Sequence, residues 1–122
     1  MDMRLHCNGK IIKRATWDDV QAALDEIRDG EVFFTLDIMP SPENGPSGLE
    51  VQSEDGNYMP VIGMASGYPR DYYNVPVAGG EMIDILGYSY DPGSITRDYE
   101  RIVSIVKEFF ETGDVSPELL KE

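Results

Sequence analysis

Residues 96–113 read TRDYERIVSIVKEFFETG, and the fold turns on how this stretch is read. Its apolar positions Tyr99, Ile102, Val103, Val106, Phe109 and Phe110 recur at spacings of three and four, so they share one face of a helix. Thr96 is placed to cap the N-terminus through its hydroxyl. Gly113 suits the left-handed residue that ends a helix, and Pro117 discourages continuation. Charged residues such as Arg97, Asp98, Lys107 and Glu111 fall off the stripe. A helix with one wide aromatic face needs a sheet to lie on.

The preceding chain supplies it. Residues 3–14 predict an edge strand or a small hairpin, with Asn8-Gly9 as its tight turn. Thr16, with Asp19 three residues on, starts a helix close to a capping-box arrangement. Trp17, Val20, Ala23, Leu24 and Ile27 mark its buried side, Asp18, Asp25, Glu26 and Asp29 its wet side, and Gly30 ends it. From Val32 the period becomes two. Val32, Phe34, Leu36 and Ile38 alternate with Phe33, Thr35, Asp37 and Met39, the pattern of a strand packed on one face.

A Pro, Gly and Ser-rich loop over 40–48 leads to a second half-wet strand carrying Leu49, Val51 and Ser53. Asp55-Gly56 turns it into a partner over 58–65, where Pro60 suggests an edge or a bulge. Residues 67–80 are irregular, with a short strand expected over 72–77. Residues 81–90 read as the last strand, and Asp91-Pro92-Gly93 turns into the final helix. The tail over 114–122 is expected either to pack by Leu119 or Leu120 or to fray. The expectation is one α+β domain over 1–122: an antiparallel curved sheet of about five strands, with an N-terminal and a C-terminal helix on one face.

At 122 residues, 41% of them hydrophobic, the chain can bury a single core. No apolar run is long enough to span a membrane, and MDMRLHCNGK lacks an apolar signal segment, so a cytoplasmic protein is expected. The net charge of −13 argues against nucleic acid as a direct partner. The charge is also uneven. Arg4, Lys10, Lys13 and Arg14 stand against Asp2 alone in residues 1–15, and removing that surplus of three from −13 leaves −16 for residues 16–122. Such acidity serves solubility or fits a basic protein partner.

Catalytic chemistry is not legible. His6 and Cys7 are each the sole residue of their kind, and strand neighbours point to opposite faces, so they form no Cys–His pair. No multi-cysteine zinc site, EF-hand loop or phosphate-binding Gly-rich loop is present in the sequence. The abundant carboxylates read as a solvated face, with no spacing that singles out a pair. The chain is therefore expected to be no enzyme and to need no cofactor or metal. What remains is a recognition surface. Tyr68, Asp71, Tyr72 and Tyr73 combine tyrosines with acid in an irregular loop, a composition suited to protein contacts. Tyr72 and Asp71 are the expected anchors, and the acidic side of the first helix, Asp18, Asp25 and Asp29, is the second candidate surface.

The helix ATWDDVQAALDEI, the strands after it, and the closing Phe109-Phe110-Glu111-Thr112-Gly113 with Pro117 resemble the immunity proteins of bacterial polymorphic toxin systems, in particular their first-numbered family. In that family the chain ends similarly and then carries a tryptophan; here the tail SPELLKE offers Leu119 or Leu120 instead. The matched residues are structural and transfer no binding site. The resemblance implies a cytoplasmic antitoxin that binds a cognate toxin domain, often a nuclease or nucleic-acid deaminase, and blocks its active site. An acidic inhibitor suits a basic, nucleic-acid-holding cleft. The alternative is a small acidic adaptor or ligand-binding domain with no toxin partner. The oligomeric state is not encoded in any feature of the sequence.

Overall fold

The structure, a computed structural model, describes residues 1–72 and 77–120, the side chain of Asp29 excepted. In chain order it runs β1 (Asp2–Cys7), β2 (Lys10–Ile12), α1 (Trp17–Asp29), β3 (Val32–Met39), β4 (Pro46–Glu54), β5 (Asn57–Met64), β6 (Arg70–Asp71), β7 (Ile83–Ile85), β8 (Tyr88–Tyr90) and α2 (Tyr99–Thr112). Among the described residues, six strands form one antiparallel sheet in the order β2-β1-β3-β4-β5-β6, and β7 and β8 form a separate pair. The architecture is α+β.

Both helices lie on the same face of the large sheet. Leu5, Leu36, Leu49 and Ile62 are successive cross-strand partners, and all four are buried on that face. Into them α1 sends Val20, Ala23, Leu24 and Ile27, and α2 sends Ile102, Ile105, Val106 and Phe109. Ile105 belongs to the buried face, although the six-residue stripe read from the sequence leaves it out; the covered arc of α2 is wider than that spacing marked. Trp17 and Phe110 meet at 5.6 Å between ring centroids, so the start of α1 packs on the end of α2.

The caps explain the helix bounds. Thr16 and Asp19 form a full capping box: the Asp19 N–H donates to the Thr16 hydroxyl at 3.2 Å, and the Thr16 N–H donates to the Asp19 carboxylate at 2.8 Å. Gly113 ends α2 in the left-handed region at φ 80°, its N–H bonded to the Phe109 carbonyl. At the start of α2 the expected cap is corrected: Asp98, not Thr96, accepts from the Arg101 N–H. Thr96 is held in a bridge to Tyr58, and its hydroxyl accepts from the Asp98 N–H instead.

Of the two readings of residues 3–14, the small hairpin is the one found: β2 folds back through Asn8 (φ 48°) and Gly9 (φ 82°), and β2 rather than β1 is the edge strand. The single strand expected over 81–90 is a hairpin, since Leu86 (φ 51°) and Gly87 (φ 87°) reverse the chain within it. The strand expected over 72–77 falls mostly on residues 73–76, which lie outside the described residues; Tyr72 itself follows directly on β6. Of the two tail leucines, Leu120 is fully buried and Leu119 packs beside the core.

The β7–β8 hairpin covers part of the second face of the sheet. Ile85, Ile83, Leu86 and Tyr90 pack there with Met59, Val61 and Ile95. The Leu86 N–H donates to the Glu54 carboxylate at 2.8 Å and pins the hairpin turn to β4. Beyond the hairpin that face is open among the described residues, and Arg4, Ile11 and Phe33 are exposed on it.

Candidate functional site

One cross-strand row runs the full width of the open face: Ile11, His6, Thr35, Glu50, Val61 and Asp71, each the register partner of the next. Their side chains share a face because partnered residues of an antiparallel sheet do. The row is electrically graded. Arg4, Lys13 and Arg14 stand near its β1–β2 end, and Glu50 and Asp71 occupy the β4–β6 end.

β6 is only two residues long, and alternation divides its work. Arg70 turns to the helix face, where it is buried; its Nη1 donates to the Asp114 carboxylate at 2.6 Å and its Nη2 to the Val115 carbonyl at 2.7 Å. Asp71 therefore turns to the open face and stays exposed at its tip. Partial desolvation raises its carboxyl above the usual carboxylate range. Tyr68, three residues before Asp71, is 80% exposed, the largest exposure of an aromatic ring among the described residues.

Tyr72 is placed differently. It is half-buried against the core, with the Arg101 guanidinium 5.4 Å from its ring centroid. Arg101 in turn donates to the Leu119 carbonyl at 3.0 Å, so Tyr72 belongs to the packing that holds the tail. Among the described residues of the tyrosine cluster, Tyr68 and Asp71 are the exposed ones. Tyr73 lies outside the described residues.

The first-helix residues form a separate surface. Asp18 and Asp25 are exposed on α1, and Asp25 accepts from Arg28 at 3.4 Å. Asp29 is the last residue of α1. α1 covers the helix face while Asp71 points to the open face, so the two candidate sets do not converge on one site.

Sequence reasoning missed Glu50, Met82 and Tyr88. Glu50 flanks the acidic end of the open face, and Met82 and Tyr88 are 55% and 69% exposed on and beside the hairpin. The signal was Gly87: read as a turn, it puts Tyr88 at the outer start of a strand rather than inside one.

His6 and Cys7 face opposite ways, as strand neighbours must. His6 is half-buried on the open face, and Cys7 is buried in the core, its Sγ donating to the Glu26 carboxylate at 3.3 Å. Burial first, then that hydrogen bond, push the thiol up to about 12. A thiol held protonated in this way is a poor nucleophile. Among the described residues, no three His, Cys, Asp or Glu side chains are grouped to hold a metal ion. No helix among them is long and apolar enough to cross a membrane.

The fold has a relative among solved structures. A crystal structure titled as that of a hypothetical protein from Neisseria gonorrhoeae superposes with a TM-score of 0.69 at 20% identity, over 93% of this chain and 91% of that one. At that identity the likeness concerns the fold alone. No curated protein matches the chain. The sequence model of a family described as a family of unknown function (DUF6911) matches residues 3–119, nearly the full length, and the chain belongs to that family.

Proposed function

We propose that this protein is an immunity protein, acting in the cytoplasm, which binds a cognate bacterial toxin domain and blocks its active site. The toxin it fits is a basic domain acting on nucleic acid, such as a deaminase or nuclease. The reading gives the protein no activity and no cofactor of its own.

The observation that carries the reading is the acidic end of the open sheet face. There Asp71 is exposed, with Glu50 two strands along, and the exposed ring of Tyr68 comes three residues before Asp71 in the chain, whose net charge is −13. Tyrosine supplies contact area at small entropic cost, and the carboxylates complement a cleft built to hold phosphates. The resemblance to immunity proteins in the helix ends adds support. A small adaptor or ligand-binding domain without a toxin partner is the second reading, favoured by an open groove beside β1 that Arg4, His6, Ile11, Lys13 and Met39 help to line.

The test is the binding kinetics of wild type, Tyr68→Ala and Asp71→Ala against a toxin domain encoded beside this gene. Association is expected to slow as salt rises, because screening weakens steering between opposite charges. Tyr68→Ala is expected to speed dissociation, at a cost of ~2 kcal/mol for an anchoring ring. Absence of binding by the wild type overturns the reading for that pair. Unchanged binding by both variants moves the interface to α1, around Asp18, Asp25 and Asp29.

A further inference from the structure

Alternation along β1 sends Met3, Leu5 and Cys7 into the core and leaves Asp2, Arg4 and His6 on the open face. Asp37 and Met39 of β3 and Ile11 of β2 flank them, and the chain beyond those strands adds Lys13, Arg14 and Pro40. The result is an open groove of about 750 Å³. Small-molecule sites span roughly 300–1,000 Å³.

The groove runs against the charge of the chain. Three of the ten Lys and Arg residues, and the only histidine, line it in a protein of net charge −13. Arg4, Lys13 and Arg14 oppose Asp2 and Asp37, so the lining is positive by one. Its internal pairs, Arg14 with Asp2 at 3.5 Å and Arg4 with Asp37 at 3.4 Å, are long and exposed, a kind of pair that contributes little. Lys13 has no ion-pair partner among the described residues. Between the charges lies apolar surface: Ile11 is 59% exposed, with Met39 and Pro40 across the groove.

We propose that this groove binds a small organic anion, a single carboxylate or phosphate head on an apolar body. Lys13 and Arg14 hold the head, His6 offers a ring nitrogen, and Ile11, Met39 and Pro40 cover the body. The groove's own carboxylates decide the size of the occupant. A polyanionic strand laid along it would pass both Asp2 and Asp37, whereas a single anionic head on Lys13 and Arg14 meets only Asp2, whose exposed pair with Arg14 it displaces. The site lies at the end of the sheet away from Tyr68 and Asp71, and it stands whether or not a toxin partner exists.

The experiment is a titration of the full chain with octanoate, acetate and octylammonium, followed by the NMR signals of His6, Ile11 and Met39. Octanoate is expected to shift all three saturably, and acetate to bind at least ~10-fold more weakly for lack of an apolar body. Octylammonium is expected not to saturate. Lys13→Glu with Arg14→Glu should weaken octanoate by ~10-fold or more at an unchanged melting temperature. Both side chains are exposed, and if reversal lowers the melting temperature, Lys13→Gln with Arg14→Gln gives the same reading. No saturable shift with octanoate overturns the proposal. So does octylammonium binding as tightly as octanoate, or a charge-reversed variant binding as well as wild type.

Discussion

Arg70 of β6 and Asp114 of the C-terminal segment are joined by a 2.6 Å hydrogen bond between Nη1 and the carboxylate, although they stand 44 residues apart in the chain. The same guanidinium donates to the Val115 carbonyl. A two-residue strand at a sheet edge has little pairing of its own, and this contact anchors it to the end of α2. The arginine is nearly covered while Asp114 is half-exposed, so the carboxylate keeps water when its partner is lost.

Arg70→Ala is therefore expected to lower stability by ~1–3 kcal/mol, the range for charge-assisted hydrogen bonds and a buried carbonyl left unpaired. Urea melts of the variant give the number. A loss under about 0.5 kcal/mol would mean that β6 is held by other contacts.

Phe109→Ala should cost ~3–5 kcal/mol, the usual range for emptying a fully buried phenylalanine site. Phe109 is 0% exposed and lies between α2 and the sheet. Denaturant melts decide it, and a loss below about 1 kcal/mol would contradict the burial.

Tyr68→Ala and Tyr72→Ala should separate. Tyr68 is exposed, and its truncation is expected to change stability by no more than about 0.5 kcal/mol. Tyr72 is half-buried beneath Arg101, and its truncation is expected to cost ~1–2 kcal/mol through lost packing and cation–π contact. Equal melting temperatures for the two variants would place Tyr72 on the surface with Tyr68.

Cys7 makes stability depend on pH. Its thiol rises from an ordinary 9.0 to about 12 through burial and the Glu26 hydrogen bond. A pKa raised by folding contributes stability that is fully present below about 9 and is lost as the pH climbs towards 12, because there the unfolded chain releases the proton first. Cys7→Ala is expected to flatten that alkaline decline in melts run across the same range. Iodoacetamide at neutral pH should modify Cys7 only as fast as the chain opens; alkylation at the rate of a free thiol would overturn the assignment.

Local rules settled what depends on neighbours within a few residues. The Thr16–Asp19 box, the Asn8-Gly9 and Asp55-Gly56 turns and the αL stop at Gly113 are all written in short segments, and each appears where its residues predict it. The period-two run from Val32 fixed which side of β3 faces the helices, since a one-residue slip would turn Phe34 and Leu36 to the open face. From these followed the α+β class and the helices on one face.

Competition between distant groups settled the rest. Thr96 is an adequate cap by type, yet Tyr58 claims its backbone across the sheet edge, and Asp98 caps α2 instead. The burial of Tyr72 depends on Arg101, and that of Arg70 on Asp114, partners too far along the chain for any spacing rule to reach. The groove beside β1 exists because the sheet order brings alternate residues of β1, β2 and β3, with Lys13, Arg14 and Pro40 beyond the strands, together on one face. The sequence by itself determined that this protein is an acidic α+β domain with two capped helices on a sheet. Only the tertiary structure decided which tyrosine and which charges reach the solvent, because exposure is set by what packs from elsewhere in the chain.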